Sequence, residues 1–544
     1  MNSEAGGRFS RRGVLRMTGA GAGVLAASMV VSACSPQRKD DGAADGTAAR
    51  GTDTPVDKLT LALPSSLSSL DISREAGILN YLVAALVQES LLAVSPTGEL
   101  EPGLATSWKQ PDAKTYVYTL RSGATFSDGA EVTTDDVIAS IEAARAEGSA
   151  LAYAWANVAS VKATGDREIT IRLKTADAAF AWTPTPGTLL ISSKAFLTKN
   201  EGKVGTAKTL LLGTGAYKVT SFVPDDHVQL ERNGDWWGDT PSVRTLKLSF
   251  IPDAGTRLVA MKSGSVDGAL NLPSDEARSW ESTAEVTYTG DRSVVALAFD
   301  TAKAPFDDVH VRRAFAYAAD RSGMVRGILH GKAEVASTLV SPQMWGALLD
   351  ESKVKRGYAA LPAFDHSIKA AKAELAKSRH KDGFSLDLSY PNSGPQLGKA
   401  ALALADALKE LGITLKVKEV TLEQWIADLV PGRKPLQFLW YFPVTGDPAE
   451  LTDSYLASAA SATNLPHYDN TDVDDALARA KTETDKAERG RLLLGALQDA
   501  ASDLPYLPLW WAQTATALTK EYVMEEPGAF ALVGPWAARV KKTA

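Results

Sequence analysis

Phe299-Asp300-Thr301-Ala302-Lys303-Ala304-Pro305-Phe306-Asp307-Asp308-Val309-His310-Val311-Arg312-Arg313-Ala314-Phe315-Ala316-Tyr317-Ala318-Ala319-Asp320-Arg321 is the stretch on which the reading of the chain turns. Val311, Ala314, Phe315 and Ala318 recur at the spacing that lines one helix face with apolar side chains, so a helix with that stripe buried is expected. Arg312 and the pair Asp320-Arg321 are read as structural ion pairs.

Downstream, helix and strand signals alternate. Ser367 to Lys377 predicts a surface helix, Leu386 to Tyr390 a strand, Leu397 to Leu411 a helix stopped by Gly412, and Ile413 to Lys418 another strand. Phe438-Leu439-Trp440-Tyr441 and Asp447-Pro448 follow, then a helix from Val473 to Lys481. That alternation is what α/β architecture requires.

Upstream, Lys58 to Leu63 alternates and stops at Pro64, a strand and a loop. Asp71 to Ser73 offers capping residues for a helix whose apolar positions run from Gly77 to Leu92. Tyr116 to Arg121 predicts a half-buried strand, and Thr133 or Thr134 caps a helix with Asp135 and Asp136 in its first turn. Val161 to Lys174 has a hairpin pattern. Gly213-Thr214-Gly215 lets the chain turn tightly, and no helix with Lys-Ser/Thr follows to make it a phosphate cradle. Trp236-Trp237 is read as covering a core edge rather than stacking a ligand.

Several runs fall in an order seen in one family. They are Gly98-Glu99-Leu100-Glu101-Pro102-Gly103-Leu104-Ala105-Thr106-Ser107-Trp108, Phe126-Ser127-Asp128-Gly129, Thr133 to Val137, Gly213-Thr214-Gly215-Ala216-Tyr217, Arg232 to Trp237, Met261 to Asp267, and the Phe299–Arg321 stretch itself. Asp503-Leu504-Pro505-Tyr506-Leu507-Pro508-Leu509-Trp510 closes the series. Together they resemble the family 5 extracellular solute-binding proteins of ABC transporters, the oligopeptide, dipeptide and nickel binders. The resemblance implies an α/β, two-lobed periplasmic-binding-protein-like (type II) fold with an extra subdomain in the first lobe and a ligand cleft between lobes. The expected division is a signal peptide over 1–33, a lipidated flexible tether over 34–56, a lobe I core from 57–93, 209–298 and 507–544, an extra subdomain over 94–208, and lobe II over 299–506.

The same resemblance implies where a ligand sits. In peptide-binding relatives the segment after Leu-Asp-Pro pairs with the ligand backbone as an added strand, which falls here on Ala76, Gly77 and Ile78. Relatives also carry, three residues after a tryptophan, an aspartate that anchors a peptide's amino group; if Trp440 is that tryptophan, the position holds Pro443 instead. Asp447 has two readings, a ligand carboxylate or a turn cap at Asp447-Pro448. Trp425, Trp440 and Tyr441 are the aromatic candidates for a cleft wall.

The start of the chain says where it works. Ser10-Arg11-Arg12-Gly13-Val14-Leu15-Arg16 resembles a twin-arginine export signal, and Val31-Ser32-Ala33-Cys34 a bacterial lipobox that leaves Cys34 as a diacylated N-terminus. Cys34 is the only cysteine among 544 residues, which excludes a disulfide scaffold within one chain. Ser35 to Pro55 is small and polar and reads as a tether. Net charge is −7, and residues 1–33 hold four arginines and one glutamate, leaving −10 for the rest and suggesting no nucleic-acid partner. The six histidines are scattered, with no metal spacing, and no nucleophile is paired with a base, so no cofactor, metal or catalytic residue is expected. The expected protein is a monomeric, non-enzymatic receptor, lipid-anchored at the extracytoplasmic face of a bacterial membrane. It would deliver a peptide or other small polar solute to ABC permease subunits. The alternatives are an exported hydrolase and a receptor for nickel or metal chelates.

Overall fold

The computed structural model describes residues 51–544; the expected export signal, the expected lipidation site Cys34 and most of the expected tether lie outside the described residues. A nine-stranded sheet is the frame. Its strands are β1 (Val56–Leu63), β2 (Tyr217–Val223), β3 (His227–Arg232), β4 (Val243–Phe250), β5 (Gly268–Pro273), β6 (Glu285–Phe299), β7 (Ala333–Val335), β8 (Leu436–Tyr441) and β9 (Tyr506–Leu518). They lie in the order β8-β6-β9-β5-β1-β4-β3-β2, with β7 paired to β9. β1 sits between parallel partners β4 and β5, and its residues Leu59, Leu61, Ala62 and Leu63 are all fully buried, as a strand covered on both faces requires.

β6 and β9 are long because they serve two lobes. Their outer ends pair Glu285 with Leu518 and carry Val286, Tyr288, Ala515 and Ala517 into a first-lobe cluster around Trp280. Their other ends pair Ala298 with Tyr506, and Val294 to Phe299 feed the two second-lobe clusters. Between the two the ladder breaks: Gly290 faces Gln513, but the next pair is Val294 with Trp511. Asp291, Arg292 and Ser293 therefore bulge at the waist, with Arg292 in the left-handed region at φ 67. The hydrophobic clusters change hands at this bulge.

The helix in the Phe299–Arg321 stretch runs over Val309–Ala318 and buries the expected stripe. Phe299, Phe306 and Phe315 form an aromatic knot beneath it, with centroids 4.9 to 5.8 Å apart. The expected ion pairs are corrected. Arg312 donates to backbone, from Nε and Nη2 to the Asp503 carbonyl at 3.0 and 2.7 Å and from Nη1 to that of Phe306 at 2.6 Å. Asp503 ends a helix, where carbonyls lack helical partners and the dipole favours a cation. Arg321 likewise donates to the carbonyls of Ala336, Pro508 and Phe364, and Asp320 caps the helix Arg321–Gly327.

Two more boundaries differ from expectation. The helix expected from Gly77 to Leu92 spans Ile78–Val87, because the Val87 carbonyl is taken by the Gly215 amide at 2.9 Å. Gly213 and Gly215 are glycines for that approach; a Cβ on Gly213 would lie 2.1 Å from the Val87 oxygen. Asp71 closes its own turn onto the Ser73 amide and leaves this helix uncapped by any side chain. The far end of the expected tether is also folded: Gly51–Thr52 pairs with Lys542 and Thr543, and Lys541 meets Asp53 at 2.8 Å. Backbone pairing needs no apolar side chains, which is why a polar sequence does not exclude it.

The remaining elements are brief to state. A four-stranded antiparallel sheet built from residues 105–173 packs on the first lobe; its strand Thr115–Leu120 is central and buried almost throughout rather than half-buried. The helix Thr134–Ala144 is closed by a capping box between Thr133 and Asp136. In the second lobe, Ser385–Pro391 and Thr414–Val420 pair in parallel across the helix Pro395–Lys409, a βαβ unit. Among the described residues, no helix is long and apolar enough to cross a membrane.

Candidate functional site

The waist where β6 and β9 break forms the floor of a cleft. A wide part of ≈ 680 Å³ is bordered by Asn271 to Ser274 from one lobe, by Ile328, Lys332, Gln396, Lys399 and Trp440 from the other, and by Trp510 and Ala512 to Thr514 beneath. A narrower part of ≈ 130 Å³ continues past Ala76, Tyr81, Thr289 to Arg292, Phe442 to Val444 and the loop at 528–533. Ile78, Asn271, Asp291, Phe442 and Thr514 border both parts, which makes them one continuous space. Its size falls in the range of about 300–1,000 Å³ that small-ligand sites occupy.

The sequence candidates separate in this frame. Ala76 and Ile78 border the cleft, and Ile78 is 41% exposed at the start of its helix, an apolar side chain left without a cover. Gly77 between them is the helix N-cap. Trp440 borders the wide part, half-buried, its ring 5.6 Å from that of Phe442. Trp425 is placed elsewhere, 6% exposed in the second-lobe core. Asp447 is 2% exposed and grips Arg489 with both oxygens, at 2.6 and 2.8 Å.

Tyr441 works behind the cleft wall. Its hydroxyl donates to Glu450 at 2.8 Å, and the same carboxylate accepts from the amides of Val444 and Thr445 and the Thr445 hydroxyl. Burial pushes the Glu450 carboxyl up, and these donors pull it back. The loop carrying Phe442 and Pro443 is thereby pinned in shape before any ligand arrives. Burial and the Glu450 charge drive the Tyr441 hydroxyl far above its ordinary range, so it is a donor at every physiological pH.

The floor was not anticipated from sequence, yet a signal existed. Gly290-Asp291-Arg292-Ser293 interrupts an otherwise strand-like run, the mark of a bulge. Asp291 Oδ1 accepts from the Ser293 amide at 2.8 Å and hydroxyl at 2.6 Å. Arg292 is buried with its guanidinium 4.3 Å above the Phe530 ring, and desolvation lowers its pKa to about 10. The tryptophan pair lies away from the cleft: Trp236 and Trp237 both donate their indole N–H to the half-buried Glu89, at 3.1 and 2.9 Å. Among the described residues, no group of three or more His, Cys, Asp or Glu side chains is arranged to hold a metal.

Known proteins match this architecture. The probable D,D-dipeptide-binding periplasmic protein DdpA of Escherichia coli is 26% identical over 430 residues, covering 78% of this chain and 81% of that protein. The oligopeptide-binding protein AppA of Bacillus subtilis is 23% identical over 529 residues, covering 91% and 93%. The periplasmic binding protein DppA of Helicobacter pylori, solved with the peptide STSA, superposes with a TM-score of 0.74 at 22% identity over 90% of this chain and 99% of that one. The family profile described as bacterial extracellular solute-binding proteins, family 5 Middle, matches residues 99–463. A profile match over that much of the chain, on a two-lobed fold with its cleft at the waist, places the protein: it belongs to the family 5 bacterial extracellular solute-binding proteins.

Proposed function

We propose that the chain is the substrate receptor of an ABC importer, held at the outer face of the membrane by a diacylated Cys34, which encloses a peptide or related small polar solute and hands it to the permease. The observation that carries this reading is the cleft at the β6–β9 waist. Two strands crossing between lobes can bend there, so that the walls close on a solute and exclude water. Ala76 and Ile78 supply backbone and an apolar edge on one wall, and Trp440 an aromatic face on the other. The relatives named for dipeptides and oligopeptides make peptide the first solute to test.

A receptor binds and releases without changing its ligand. The test is mass spectrometry of small molecules copurifying with the native protein, followed by calorimetry with those molecules and small-angle scattering with and without them. Saturable binding with a smaller radius of gyration, and unchanged ligand mass after incubation, is the expected result. A product of altered mass overturns the reading in favour of a hydrolase. Binding of metal chelates but no peptide overturns the solute assignment.

A further inference from the structure

The charges at the cleft floor leave one carboxylate oxygen unused. Three titratable side chains meet at the narrow end, Asp291, Arg292 and Glu450, two acidic and one basic. Glu450 has both oxygens committed, Oε1 to the Tyr441 hydroxyl and Val444 amide and Oε2 to the Thr445 amide and hydroxyl. Arg292 is packed on Phe530 and reaches the Thr445 carbonyl at 3.5 Å. Asp291 spends only Oδ1, on Ser293, while Oδ2 accepts no hydrogen bond among the described residues. It forms no ion pair there either, and it borders both parts of the cleft.

The other charges along the cleft do not neutralise it. Glu276 is paired with Arg257, which donates from Nε at 2.9 Å. Lys332 lies 3.7 Å above the Tyr288 ring and 3.6 Å from Glu281. Lys399 is exposed on the outer wall. Both lysines border the wide part alone, so basic side chains gather along the wide part and Asp291 stands at its junction with the narrow one. Arg292 attracts both Glu450 and Asp291, so two carboxyl groups share one cation and burial pushes the Asp291 carboxyl up; a cation supplied by the ligand offsets that cost.

We propose that Asp291 is the subsite for a cationic group of the ligand, an ammonium or guanidinium, so that the cleft selects amine-bearing solutes and seats them with the positive end at the waist. This rests on the receptor reading above. A zwitterion fits this arrangement best, its body lying along Trp440, Phe442 and Ile78 and its anionic end towards Lys399. Uncharged or purely anionic solutes leave Asp291 unpaired and bind weakly.

The test uses the full mature chain and a random pool of tri- to pentapeptides lacking Lys, Arg and His, offered with free or acetylated amino termini and read by native mass spectrometry and calorimetry. The wild-type protein is expected to retain the free-amine pool at least about tenfold more tightly than the acetylated one, the scale of losing one desolvated charge partner. Asp291→Asn keeps an oxygen for Ser293, should unfold at the wild-type temperature, and should lose that preference; Asp291→Glu should recover part of it. Equal retention of the acetylated pool, or undiminished binding of the free-amine pool by Asp291→Asn, overturns the subsite and leaves the peptide reading standing. Retention of neither pool by the wild-type protein overturns both. The wild-type comparison of the two pools stands whether or not either variant folds.

Discussion

Asp447→Ala separates a structural carboxylate from a ligand-binding one. Asp447 and Arg489 are joined by two hydrogen bonds of 2.6 and 2.8 Å, with side chains 3% and 5% exposed. Arg489 has one other acceptor, the Ala480 carbonyl at 3.3 Å from Nε. Removing the carboxylate leaves a buried guanidinium without its counter-ion, which costs about 3–5 kcal/mol. Loss of the bond from the Ala449 amide to Asp447 Oδ1 adds on the order of 1 kcal/mol. Attraction from Asp453 and Asp177, which also help hold Arg489 charged, offsets part of this, so the expected loss is about 3–5 kcal/mol in all. For a folding unit of 150–250 residues each kcal/mol moves the melting temperature by about 2–4 °C, giving a shift of about 6–20 °C. The assay is thermal and urea unfolding followed by tryptophan fluorescence, with ligand affinity measured below the transition. Asp447→Ala combined with Arg489→Leu should recover part of the loss, since the stranded charge is gone. A loss under about 1 kcal/mol accompanied by a collapse in affinity would refute the structural reading and return Asp447 to the ligand.

Trp440→Ala should weaken ligand binding with little change in stability, whereas Trp425→Ala should cost about 3–5 kcal/mol and leave affinity unchanged; calorimetry and unfolding on the two variants check the contrast. Asp453 has its pKa raised from 3.8 to about 6 by burial, opposed by Lys481, so the folded protein holds this proton more tightly than the unfolded chain. Its penalty is absent below the unfolded value and grows as pH rises through about 6; Asp453→Asn should therefore gain stability relative to wild type between pH 4 and 7.5, and a difference that is flat or falls with pH counts against it. Gly213→Ala should destabilise by about 1–3 kcal/mol by thermal unfolding, because its Cβ meets the Val87 carbonyl. Cys34→Ser should move the protein from the detergent phase to the aqueous phase on partition of whole cells, and continued detergent partition would remove the lipid anchor.

The fold was legible where a local pattern meets a single buried face. Val311, Ala314, Phe315 and Ala318 mark a helix, and Thr133 with Asp136 marks its start for another, because periodicity and caps act within one turn. The partners of charged residues were not legible. Arg312 and Arg321 look like ion-pair members in sequence, yet each binds backbone carbonyls, one of them contributed from 187 or more residues away. A carbonyl leaves no trace in side-chain identity, so sequence cannot distinguish a guanidinium that staples a helix end from one that meets a carboxylate. The early end of Ile78–Val87 has the same origin, since its terminating donor is Gly215.

The site shows the limit more sharply. Trp425, Trp440 and Tyr441 have equal claims in sequence, and only the direction each faces separates a core side chain, a cleft wall and a support behind the wall. β8 accounts for the last two: adjacent strand residues point to opposite faces, so Trp440 and Tyr441 cannot both line one cleft without a twist in the strand. The same alternation applied to β6 fails at Gly290 to Ser293, where a bulge resets which face is presented. A strand that must serve two lobes has to break its register between them. That break takes side chains out of the ladder at the waist, where Asp291 borders the cleft and Arg292 is buried against Phe530.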